Sequence, residues 1–131
     1  MQILVDYNGS NPAIKALKLA QKHADVWNAK IEIIRAITRS IPLDFQYIQK
    51  LEAELEWDVR KILNADKSSY ETHLFVATLS AGEQLVGFAD RNTVDETIIG
   101  ARKRSRSGKL IFGSTTQYVV LHAPCPVVTV K

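Results

Sequence analysis

Short apolar runs and polar breaks alternate along this chain in a regular rhythm. Ile3, Leu4 and Val5 form the first run, and Tyr7-Asn8-Gly9-Ser10 supplies the turn chemistry that stops it. Ala13, Leu17, Ala20 and Ala24 then recur at helical spacing to about Val26, with Ser10 or Asn11 placed to cap the helix and Pro12 suited to its first turn. KIEIIRAI, at 30–37, reads as a second strand. After the break at Ser40-Ile41-Pro42, residues Ile48, Leu51, Leu55, Val59 and Ile62 make an apolar stripe, and Lys50, Glu52, Glu54, Glu56 and Lys61 make the opposite face of a long amphipathic helix. His73 to Leu79 reads as strand three, Gly82 to Arg91 as a helix ended by Asn92, and Thr97-Ile98-Ile99 as a short fourth strand. A loop from Gly100 to Gly113, a helix from Ser114 to about His122 and a strand from Cys125 to Val130 complete the chain.

Strands and helices therefore alternate, and the strands read as continuously apolar rather than half polar. That pattern predicts an α/β fold with a parallel sheet covered on both faces and right-handed crossovers. In such sheets ligands sit beyond the carboxyl ends of the strands, where strand order reverses. The two strand ends richest in polar residues and glycine are those at Asn8 and Gly100, so these are expected to flank one crevice.

A length of 131 residues fits one domain, 1–131, large enough to bury a core without staples. No apolar run approaches the roughly 20 residues that cross a bilayer, and the first ten residues read as a strand and turn rather than a signal peptide, so a cytoplasmic protein without a membrane role is expected. Cys125 is the only cysteine, which excludes an intramolecular disulfide and a thiolate cluster; between two prolines, it reads as buried filler. His23, His73 and His122 fall on different elements without local metal-ligand spacing, and each reads as structural or solvent-facing.

Charge changes the picture more than composition does. Residues 97–131 hold six Lys or Arg and no acid, whereas residues 1–96 hold eleven basic and fourteen acidic residues. Arg102, Lys103, Arg104, Arg106 and Lys109 crowd into the loop between Gly100 and Gly113, directly before a helix start. Glycines let backbone approach a ligand closely, and the free amides of a helix start attract anions, so phosphate is the natural partner of this segment. Ser114 can serve as a phosphate ligand or as the helix N-cap, and Gly113 can offer its amide or merely permit a tight turn. Asp6 can hydrogen-bond a base, coordinate magnesium or accept local backbone amides.

Other readings of the same segment fail. A Walker loop around Gly108-Lys109 needs Gly at 103 and Ser or Thr at 110, where Lys103 and Leu110 stand. A phosphoacceptor receiver domain needs a carboxylate at the end of strand three, and LFVATLS has none. No nucleophile elbow occurs, so dedicated catalysis has little support. No aromatic residue lies between Gly100 and Ile111 to stack a base, which argues against nucleic acid as partner.

The opening ILVDYNGS, the loop from Gly100 to Gly113-Ser114 and the closing HAPCPVVTVK together resemble the universal stress protein family over the whole chain: its first strand and turn, its G-x2-G-x9-G-[ST] motif and its last strand. The resemblance implies a three-layer sandwich with a five-stranded parallel sheet ordered 3-2-1-4-5. It also implies a regulator of the stress response that binds ATP or AMP, with or without Mg²⁺, between strands one and four, with at most slow ATP hydrolysis. By position, Asp6, Tyr7 and Asn8 would face the adenine and Ala36 would offer backbone contacts to it. Ile99 and Gly100 would adjoin the ribose, Lys103 falls at the motif's second glycine, and Gly113, Ser114 and Thr115 would meet the phosphates. The family further implies a homodimer through the last strand, here Val127, Val128, Thr129 and Val130, and a protein partner whose identity stays open. Two positions depart from the pattern. Lys103 replaces a glycine, at a cost of about 1 kcal/mol if a positive φ is needed there. Asn8 replaces an Asp, keeping a carbonyl for an adenine amine but bringing no charge. Both favour an alternative, a dimeric interaction scaffold without nucleotide.

Overall fold

The computed structural model describes residues 1–64, 69–103 and 110–131. Its elements run β1 (Gln2–Asp6), α1 (Asn11–Trp27), β2 (Lys30–Thr38), α2 (Phe45–Ile62), β3 (Ser69–Ala77), α3 (Ala81–Arg91), β4 (Glu96–Gly100), β5 (Arg102–Lys103), β6 (Leu110–Ile111), α4 (Ser114–His122) and β7 (Val127–Val130). Five strands pair in parallel in the order β3-β2-β1-β4-β7, and helices cover both faces. The expected sheet and its strand order are therefore met. The expected Gly100–Gly113 loop differs, because β5 and β6 pair antiparallel as a small ribbon, Arg102 opposite Ile111 and Lys103 opposite Leu110. The cationic centre of that segment, Arg104, Arg106 and Lys109, lies outside the described residues.

Strand alternation sorts the core into two layers. Ile3 and Val5 of β1, Ile31 and Ile33 of β2 and Ile98 of β4 pack with Ala16, Leu17 and Ala20 of α1 and with Leu55 and Val59 of α2. Leu4, Ile34 and Ile99 point the other way and pack with Leu85, Phe88 and Ala89 of α3 and Val119 of α4. Cys125 is half-buried beside this second layer, its Sγ 3.3 Å from Thr97 Oγ1.

The strands are less uniformly apolar than their sequence suggests. Glu32 and Glu96 are buried, and each meets an imidazole at 2.6 Å: Glu32 Oε2 with His73 Nε2, and Glu96 Oε1 with His23 Nδ1. Burying a carboxylate is costly unless it is paired, and these two histidines supply partners.

Local signals set the helix ends. Ser10 caps α1, its Oγ accepting from Ala13 N at 3.2 Å. Ser80 and Glu83 form a reciprocal capping box on α3. Ser80→Ala is expected to lower stability by about 1 kcal/mol, measured by urea unfolding. Asn92 ends α3 with a φ of −107°, while the left-handed position falls one residue later, at Thr93 with φ 52°. Asn92 closes the helix with its side chain instead, Nδ2 donating to Phe88 O at 2.9 Å.

Candidate functional site

A crevice opens beyond the carboxyl ends of β1, β2 and β4, where the chain turns from β1 toward β2 on one side and β4 lies on the other. It encloses about 360 Å³, within the usual range of small-ligand sites. Asp6, Asn8, Ala36, Gly100, Gly113, Ser114 and Thr115 all line it. These seven, separated by more than 100 positions at the extremes, were expected at one site and the fold brings them together. Tyr7 and Ile99 do not line it. Each follows or precedes a crevice residue on a strand, so its side chain turns into the core: Tyr7 beneath α2, with its hydroxyl 3.5 Å from Asp58 Oδ2, and Ile99 beneath α3. Lys103 lies on β5, and its side chain is outside the described residues.

The first-strand end supplies one wall. Gly9 adopts φ 83°, which glycine accepts without strain. Asn8 Oδ1 accepts the Ser10 amide at 3.0 Å. The carbonyl expected to meet an adenine amine is thus already used in the turn, and Nδ2 is the atom left uncommitted among the described residues. Among the described residues no local amide donates to Asp6, contrary to the simplest expectation for a carboxylate beside a turn. Its burial pushes the carboxyl pKa from 3.8 up to about 6.

The opposite wall is the start of α4. Gly113, not Ser114, occupies the N-cap, with no side chain capping the helix. Ser114 is the first helical residue and is exposed, so the N-cap role expected of it does not arise. Gly113 has φ −66° and ψ 169°, a conformation open to any residue, and a Cβ added there would meet nothing within 4 Å. The tight-turn reading of this glycine therefore fails, and what it provides is open space above the helix amides. The sequence reading missed Thr116, which fastens this wall to the sheet: its Oγ1 donates to Gly100 O at 2.9 Å. A Thr in the first turn of a helix was the available signal, but its acceptor lies 16 residues away.

Gly100 is needed for a different approach than the one expected. A Cβ there would stand 2.7 Å from Pro12 Cβ and 3.0 Å from the Pro12 carbonyl carbon. The absent side chain lets the first turn of α1 sit against β4, which brings Pro12 and Ala13 into the crevice.

A crevice at the switch point of a doubly wound sheet, with a lone carboxyl on one side and an uncapped helix start on the other, defines a small-ligand-binding α/β domain suited to an anionic, hydrogen-bonding molecule. The profile of the Universal stress protein family matches residues 1–131, and the chain belongs to that family. It is 29% identical to the universal stress protein in the QAH/OAS sulfhydrylase 3′ region of Thermus aquaticus, over 98% of this chain and 97% of that protein. Among solved structures it is similar to the universal stress protein of Archaeoglobus fulgidus, at 30% identity and a TM-score of 0.85 over 100% of this chain and 98% of the other. The structure of the Archaeoglobus fulgidus universal stress protein in complex with dAMP also superposes, with a TM-score of 0.81, 24% identity and coverage of 100% and 98%. Among the described residues no helix is long and apolar enough to cross a membrane.

Proposed function

We propose that this chain binds an adenine nucleotide, ATP or AMP, in the crevice between β1 and β4 and serves as a homodimeric regulator in the stress response. The observation that carries the reading is the pairing of Asp6 with the α4 start across one cavity. The base lies toward Asp6 and Ala36, where a carboxyl and a strand-end backbone recognise an exocyclic amine and a ring nitrogen. The phosphates lie over Gly113, Ser114 and Thr115, at a helix start that no side chain caps among the described residues and beside the Ser114 and Thr115 hydroxyls. The relative solved with dAMP supports the same ligand class. Any hydrolysis is slow, because the reading assigns these residues to binding and none to activating water. The dimer forms through β7, an edge strand whose Val127, Val128 and Val130 are only half-buried.

Calorimetric titration with AMP and ATP tests the reading. Binding is expected, and Gly113→Val is expected to weaken it at least tenfold while costing no more than about 1 kcal/mol of stability as a poorer N-cap, since the added side chain enters ligand space rather than packed protein. No heat and no thermal stabilisation at millimolar nucleotide would defeat the proposal. That outcome would favour the second reading, a nucleotide-free dimeric scaffold for a protein partner, which the engagement of Asn8 Oδ1 by Ser10 supports.

A further inference from the structure

On the second sheet face, α3 is shorter than the strands β2 and β3 that it packs near. β2 and β3 each run nine residues, about 30 Å, while α3 has eleven, about 16 Å. Strand register then sets four chemically active side chains on the same face, near the amino-terminal ends of the strands. Glu32 and Glu71 are direct partners across β2 and β3, His73 stands two residues beyond Glu71, and Lys30 two residues before Glu32. Donor atoms of Glu32, Glu71 and His73 all lie within 4.8 Å of one another.

We propose that Glu32, Glu71 and His73 form a binding site for a divalent transition-metal ion, entered by displacement of the Lys30 ammonium. The set of one imidazole nitrogen and two carboxylate oxygens suits zinc, which keeps three protein ligands and a solvent position in open sites. A cation already occupies part of the site: Lys30 Nζ stands 3.0 Å from Glu32 Oε1 and 2.7 Å from Glu71 Oε2. The Lys30 ammonium thus bridges the two carboxylates, and a divalent ion in its place brings twice the charge. The third donor, His73 Nε2, is held 2.6 Å from the other oxygen of Glu32, between that carboxylate and the rings of Phe75 and Phe88. An ammonium ion has no use for an imidazole donor, whereas a metal does. Tetrahedral coordination at about 2.1 Å needs donors about 3.4 Å apart. The contraction falls on Glu71, whose side chain is 55% exposed, while Glu32 stays fixed. Lys30, with a side chain 41% exposed, has solvent to move into.

The experiment is zinc titration of the full chain by calorimetry in a non-coordinating buffer, comparing the natural protein with Lys30→Met. The Lys30→Met variant is expected to bind zinc at least tenfold more tightly, because the internal competitor is gone and both carboxylates remain. In that background Glu71→Gln, on the exposed edge where folding is not at stake, and His73→Gln are each expected to reduce affinity at least tenfold. Equal affinity with and without Lys30 overturns the proposal, as does zinc binding in Lys30→Met that is indifferent to Glu71→Gln and His73→Gln. The site lies away from the nucleotide crevice and shares no residue with its lining, so either result leaves nucleotide binding untouched.

Discussion

Replacing Asp6 with Asn is expected to stabilise the protein by about 2 kcal/mol at pH 7.5 and by almost nothing at pH 4. Burial raises the carboxyl pKa from 3.8 to about 6, so the folded state holds a proton that the unfolded chain releases between those values. The neutral carboxyl's advantage is complete below about pH 4 and is lost as pH rises through about 6, and the natural protein weakens over that window. The full displacement corresponds to about 3 kcal/mol, and partial relaxation around the ionised group lowers the expected figure to about 2. Asn keeps the shape and removes the charge. Urea unfolding at pH 4, 5 and 7.5 measures the gap, and equal stabilities at pH 7.5 would show that Asp6 ionises in the fold without penalty. A carboxylate retained at such a cost is what a ligand-binding role would produce. If the proposed nucleotide reading holds, the stabilised variant binds AMP less well, and the natural protein loses affinity below about pH 6 as Asp6 takes up its proton.

The second large effect is expected at Gly100. A methyl group there collides with Pro12, including its carbonyl carbon, at 3.0 Å or less. Backbone at the start of a helix cannot step aside as a side-chain tip can, so α1 must shift as a body. Gly100→Ala is expected to cost about 3 kcal/mol and Gly100→Val more, by comparison with overpacked cores. Equilibrium unfolding measures this directly, and a loss below about 1 kcal/mol would mean that the helix start has room to yield. The same shift would pull Pro12 and Ala13 out of the crevice wall. Gly113→Val is the contrasting case, because its added bulk meets only open space.

The fold was readable in the sequence because its signals are local. Apolar-rich runs at 3–5, 31–34 and 97–99, helical spacing in α1 and α2, and the cap at Ser10 each act over a few residues, and alternation with helices leaves a parallel sheet as the consistent solution. What escaped depends on partners distant in sequence. Glu32 was passed over in a strand read as continuously apolar, and only register places His73 and Glu71 beside it. Tyr7 and Ile99 lie at the right strand ends to touch a ligand, but the two-residue period of a strand turns them into the core. The crevice was legible as a place, from Asn8 and Gly100, more than as a set of contacts. The helix start after Gly113 was legible in the chain, but Thr116 finds its acceptor only through the folded sheet.

The ribbon formed by β5 and β6 bears on how this chain tolerates change in length. Arg102 faces Ile111 and Lys103 faces Leu110, so the backbone leaves and returns at a single point on the rim. Residues inserted or deleted between Lys103 and Leu110 need not move Gly100 or Gly113, and lengthening such a closed excursion twofold adds only about 0.6 kcal/mol of closure entropy. Evolution can therefore rewrite that excursion, in size and in charge, while the scaffold beneath it keeps its dimensions.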